Sequence, residues 1–162
     1  MPEPTITESR DINAPAARIF SILVDPAMHP SIDGTGMLRS AVDSELLSKV
    51  GDVFYMTMVH WDVGNYVVQN HVVEFEQDRR IAWDPLVDSI EKAEYEPDAS
   101  GSPQQRWGWQ LEPLSDGNTR VTEFFDCTRC TEDLRNYIKD GEFWRLAMKT
   151  SLMNLERLAT ES

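Results

Sequence analysis

"QRWGWQLEPLSDGNTRVTEFFD", residues 105–126, reads as strand, turn and strand. Side chains alternate across a strand, so Trp107, Trp109 and Leu111 stand on one face, with Arg106 and Gln110 on the other. The "SDGN" segment supplies the turn, and "TRVTEFFD" resumes the extended pattern. Two of the chain's five tryptophans therefore point the same way. They either fill a core or line a space meant for another molecule.

Upstream the chain continues as strand after strand. "MLRSAVDS", "DVFYMTMVHW", "NYVVQNHVVEFE", "RRIAWDP" and "SIEKAEYE" are separated by turn signals such as "QD" and "PDASGSP". The "EPDASGSPQQ" segment is the most loop-like and is expected to be a mobile hairpin tip rather than a domain linker. At the start, "TITESRDI" alternates as a first strand, Thr5 to Ile12. Pro15 suits a first helical turn, and Ala16, Ile19, Phe20 and Leu23 follow at helical spacing. Asp25 caps and Pro26 opens a second short helix, ended by Pro30 or by Gly34 and Gly36. Downstream, the period changes to 3.6. Trp144, Met148, Ser151, Leu152, Leu155, Leu158 and Ala159 share one face of a long amphipathic helix, with Arg145, Lys149 and Glu156 to one side.

Composition narrows the class. A chain of 162 residues is most simply one domain, residues 1–162. With 15 basic against 28 acidic residues and a formal net charge of −13, nucleic acid and anionic membrane surfaces are repelled. No apolar run approaches the roughly 20 residues of a bilayer span, and "MPEPTITESRD" is too polar and acidic for a signal peptide. A cytoplasmic protein is expected. The two cysteines, Cys127 and Cys130, lack a third and fourth ligand at matching spacing, so neither a metal nor any other cofactor is expected. Monomer and homodimer both remain open.

The order strand, two short helices, six or seven antiparallel strands and a long helix predicts an α+β fold with a cavity. A strongly curved sheet wraps around the last helix, and the short helices close one end. Side chains of so curved a sheet cannot all reach the helix, so a hollow remains between them.

This order, with "INAPAARIF", "DPAMHPSIDGTG", "GDVFYMTM", "VVEFEQDRRIAW", "WQLEP" and "NTRVTEFFD", resembles the START-like or Bet v 1-like (SRPBCC) superfamily, within it the bacterial polyketide cyclase/dehydrase-like group. The resemblance implies a helix-grip fold with a deep cavity for an apolar or aromatic ligand. Members include binders, carriers, cyclases and protein-contacting factors, so the fold alone does not choose among them.

Candidate site residues follow from facing. Trp107, Trp109, Trp83, Trp144 and Met148 are expected to wall or plug the hollow. Met56 and Met58, in step with Phe54 and His60, would give an adaptable lining. The faces of residues 65–76 are both mixed; Tyr66 and Asn70 are read as inward polar groups that orient a ligand. His29 and Asp33, four apart, are expected to share a helix face and pair, raising the imidazole pKa, and are the candidate catalytic pair. An inward carboxylate, Glu74 or Glu123, is a further proton carrier. The leading expectation is binding of a small hydrophobic, aromatic or polyketide-like ligand. A cyclase or dehydratase working in the same cavity, and a protein-interaction factor with a vestigial one, are the alternatives.

Overall fold

In the computed structural model, which describes residues 5–61, 64–90 and 104–161, the amphipathic stripe of the last helix faces the concave side of one sheet. The chain runs β1 (Thr5–Ile12), α1 (Ala16–Leu23), a short 3-10 turn (Pro26–Met28), α2 (His29–Ile32), β2 (Leu38–Val42) and β3 (Val53–His60). It continues through β4 (Gly64–Glu76), β5 (Arg80–Ile90), β6 (Arg106–Pro113), β7 (Thr119–Asp126), α3 (Glu132–Ile138) and α4 (Glu142–Thr160). The seven strands form one curved antiparallel sheet in the order β1-β7-β6-β5-β4-β3-β2. This is an α+β helix-grip arrangement.

Three details differ from the sequence reading. Residues 80–90 form one strand rather than two: β4 pairs with β5 from Arg80 to Ile90, whereas β6 pairs only as far as Trp83. Pro85, which lacks an N–H, thus sits beyond the last β6 pair and breaks no ladder there. The expected strand 89–96 and hairpin tip 96–105 fall largely outside the described residues. A helix also precedes α4: the Thr131 side chain accepts from Leu134 N, capping α3 ahead of Glu132 and Asp133, whose charges suit a helix start. Gly141, at φ 76°, then turns the chain into α4.

Strand β4 explains its mixed faces. A register shift between Val72 and Glu74 places an extra residue in the strand. Tyr66, Val68, Asn70 and Val72 face inward before it, and Phe75 does so after it, where its ring meets Phe20 edge-on at 5.5 Å. Glu74 is carried outward to Arg80, at 3.2 Å. On the same convex face Phe124 is buried over Gly108, where any Cβ would lie 2.3 Å from the ring, and the Arg80 guanidinium covers it at 4.4 Å.

The interior holds two packed clusters. One joins α1 and the end of α4 to the sheet through Phe20, Leu23, Trp109, Val121, Leu152 and Leu155. The other gathers Ile6, Phe125, Cys127, Cys130, Ile138 and Met148. The elbow after α2 is fixed to α4 by Gly34 N donating to Ser151 Oγ (2.8 Å) and Asn154 Nδ2 donating to the Ile32 carbonyl (3.0 Å). A Cβ at residue 34 would lie 2.2 Å from the Ala147 carbonyl oxygen, so only glycine permits this approach.

Candidate functional site

A cavity of about 280 Å³ lies where the two clusters fail to meet, lined by residues of both. Its sheet wall comes from Met56 and Met58 on β3, Tyr66 and Asn70 on β4, and Trp83 on β5. Trp107 and Trp109 on β6 and Glu123 on β7 continue it, while Trp144 and Met148 of α4 face them. His29 and Asp33 line the end closed by α2. The eleven residues read from the sequence as ligand-binding candidates or as the catalytic pair thus border one space, as does Glu123, whereas Glu74 does not.

The aromatic groups hold one another. Trp107 stacks on Phe125 (4.4 Å, 27° between planes) and meets Trp144 edge-on at 5.5 Å. Trp109, 5% exposed, belongs to the first cluster and backs the wall as well as bordering the space. At the surface end, His60 Nε2 lies 3.0 Å from the Tyr137 hydroxyl, and Tyr137 is 46% exposed, so the cavity reaches solvent here. Trp61 stacks on His60 at 4.0 Å and remains 68% exposed. Leu134 and Tyr137 enter the lining from α3, the helix missed in the sequence. The Thr131-Glu132-Asp133 start was its signal.

The expected His29–Asp33 pair does not form. α2 ends at Ile32, and Asp33, at ψ 122°, has left the helix, so the four-residue spacing no longer puts the two side chains together. Asp33 instead accepts from Thr35 N (3.0 Å), Thr35 Oγ1 (2.8 Å), Met37 N (3.1 Å) and Leu38 N (3.2 Å), fixing the bend into β2. His29 is buried with Nε2 2.8 Å from the Leu23 carbonyl oxygen. Burial pushes its pKa down, against smaller opposing effects of that carbonyl and of Asp25. The shift is opposite to the expected one: this imidazole is neutral near pH 7.

Glu123 is the inward carboxyl. It follows Val121 and precedes Phe125 on the inward face of β7, is 9% exposed, and its Oε2 has no hydrogen-bond partner. Burial first, and the charge of Asp33 second, raise its pKa well above the ordinary glutamate value. The sequence signal was an acid in step with two apolar inward residues. Tyr66 is also shifted up, to about 12, by burial and then by the charges of Asp33 and Tyr137. Cys127 and Cys130 are buried in the second cluster as thiols rather than a disulfide, and burial pushes the Cys130 pKa up to about 12, away from thiolate chemistry. Among the described residues, no group of three His, Cys, Asp or Glu side chains could hold a metal ion.

No protein-family model matches the chain. It is 30% identical over 122 residues to the Mycobacterium tuberculosis protein Rv0088, a match covering 75% of this chain and 46% of that protein. The chain thus spans less than half the length of this curated relative. Among solved structures, protein Ms6760 from Mycobacterium smegmatis superposes with a TM-score of 0.68 at 16% identity, over 98% of this chain and 92% of that one. The ginseng major latex-like protein 151 from Panax ginseng does so with a TM-score of 0.63 at 13% identity, over 97% of both chains. At such identities the likeness is one of fold. No helix among the described residues is long and apolar enough to cross a membrane.

Proposed function

We propose that this chain is a START-like, Bet v 1-like protein that binds a small hydrophobic ligand, aromatic or polyketide-like, between its sheet and α4. The supporting observation is the cavity itself: about 280 Å³ bordered by four tryptophans and four methionines yet left between two well-packed clusters. Its size is near the low end of the roughly 300–1,000 Å³ of small-molecule sites, and its apolar wall with a few convergent polar groups suits one. Tyr66, Asn70 and Glu123 are the groups that orient the ligand. The neutral dye N-phenylnaphthylamine tests this reading: its fluorescence should rise on mixing with the protein and fall when Met148→Trp fills the space. No rise in the native chain, or an unchanged rise in the variant, refutes it.

One observation favours an enzymatic reading as well. Burial in an apolar setting favours the protonated form of Glu123, the form that an acid protonating a carbonyl oxygen during cyclisation or dehydration must take. In that reading Glu123→Gln abolishes turnover of a poly-ketone. Equal turnover in both chains removes it.

A further inference from the structure

The cavity wall carries two carboxyl groups and two imidazoles, His29 and, at the surface end, His60. Among its described lining residues, Asp33 and Glu123 are the carboxyl groups, and neither lysine nor arginine occurs. His29, the imidazole at the closed end, is kept uncharged by burial. The groups facing Glu123 from neighbouring elements add no positive charge. Glu8 is its register partner on β1, Trp109 its partner on β6, and α4 presents Met148 and Ser151 to the cavity.

An anionic ligand entering here would give up its hydration, find no cation and meet Asp33. A neutral aromatic ligand would use the rings but leave Glu123 Oε2 without a partner. An ammonium group answers both features. It donates charge-assisted hydrogen bonds to a carboxylate, and tryptophan faces attract cations more strongly than other aromatic rings do.

We propose that the cavity takes an arylalkylamine in its ammonium form, with Glu123 as the anionic partner and the ring seated among Trp83, Trp107 and Trp109. The assignment rests on the ligand-binding reading and narrows its ligand class. Burial in the empty cavity favours the protonated form of Glu123, and an incoming cation favours the carboxylate, so any proton held there is released to solvent on binding. Asp33, held by its four hydrogen bonds, stays at the closed end and adds a second attraction without moving.

Three probes that share an indole ring and differ in charge separate the possibilities: tryptamine, skatole and indoleacetate, titrated calorimetrically at pH 7.5 into the native chain and into Glu123→Gln. Tryptamine should bind about ten-fold or more tightly than skatole, and indoleacetate the most weakly, since a hydrogen bond to a charged group outweighs a neutral one by about that factor. In Glu123→Gln the tryptamine advantage over skatole should fall to roughly three-fold or less. Skatole or indoleacetate matching tryptamine, an advantage that survives in Glu123→Gln, or no binding of any of the three overturns the amine assignment. The native-chain comparison decides even if the variant does not fold. If N-phenylnaphthylamine enters the cavity and tryptamine shows no advantage, only this assignment falls; if the dye also fails to bind, the ligand-binding reading falls with it.

Discussion

His29 lies nearly parallel to Trp83, ring centroids 5.3 Å apart and planes 21° apart, while Phe54 meets it edge-on, also at 5.3 Å. Held in this way and bonded to the Leu23 carbonyl, it is a structural imidazole at the closed end of the cavity.

That setting has a pH signature. The folded pKa of His29 is depressed, so below about pH 6.5 the unfolded chain binds a proton that the folded chain refuses. The stability associated with His29 is fully present above pH 6.5 and is lost as the pH falls towards and through the folded pKa. The slope is up to roughly 1.4 kcal/mol per pH unit. Urea unfolding between pH 5 and 8 should show this slope in the native chain and a shallower one in His29→Gln. Parallel profiles would remove His29 as the source.

Glu123 works in the opposite direction. Its folded pKa is raised, so its contribution is present below about pH 4.5 and lost as the pH rises through the folded value. Glu123→Gln keeps the shape and removes the titration, so it should be more stable than the native chain by about 1 kcal/mol or more at pH 8 and nearly equal to it at pH 4. Melting temperatures at the two pH values check this, and a variant less stable at pH 8 contradicts it.

The two tryptophans of the opening hairpin should part company on mutation. Trp109 is buried in the first cluster, and Trp109→Ala should cost about 3–5 kcal/mol, as large core truncations do. Trp107 is only partly buried and stands at the junction of Phe125 and Trp144, so Trp107→Ala should cost less than Trp109→Ala and weaken dye binding more per unit of lost stability. Denaturant titration and dye titration of both variants give the comparison; equal losses in both measurements would erase the distinction.

Gly34→Ala should destabilise the closed end. The added methyl would press on the Ala147 carbonyl at 2.2 Å and push the α2 elbow off α4, breaking the Gly34–Ser151 bond. A cost of about 1–3 kcal/mol follows from such overpacking, with weaker dye binding because His29 and Asp33 move with the elbow. A variant that melts like the native chain shows instead that α2 can shift freely.

The regular parts of this fold are legible because burial on one side imposes a period. The inward Trp107, Trp109 and Leu111 of β6 and the Met148, Ser151, Leu152 and Leu155 stripe of α4 obey it without interruption. The sequence misleads where local geometry interrupts the period. One extra residue near Val73 transfers the inward face of β4 from Val72 to Phe75, so neither alternation looks clean. A four-residue α2 is too short for the helical spacing to carry from His29 to Asp33. In α3, seven residues are too few for a stripe to stand out, and only its Thr131 cap marks it. Glu123 reads as one acid among many until the elements that cover it are in place.

The partnership of β1 with β7 carries a consequence for how the chain reaches its structure. Thr5 pairs with Asp126 and Ile12 with Thr119, contacts more than about 100 positions apart, and such non-local closure is slow in proportion to its entropic cost. During synthesis β1 waits as an unpaired edge until the whole meander has emerged. Its "TITESRDI" sequence, with Glu8, Arg10 and Asp11 in place of an apolar run, suits that wait, because charges along an open edge discourage pairing with the wrong strand. Pulse-labelled amide exchange during refolding should find the β1–β7 ladder among the last to gain protection, after the β3–β4–β5 hairpins; early protection of Ile6 would place the nucleus at the chain ends instead.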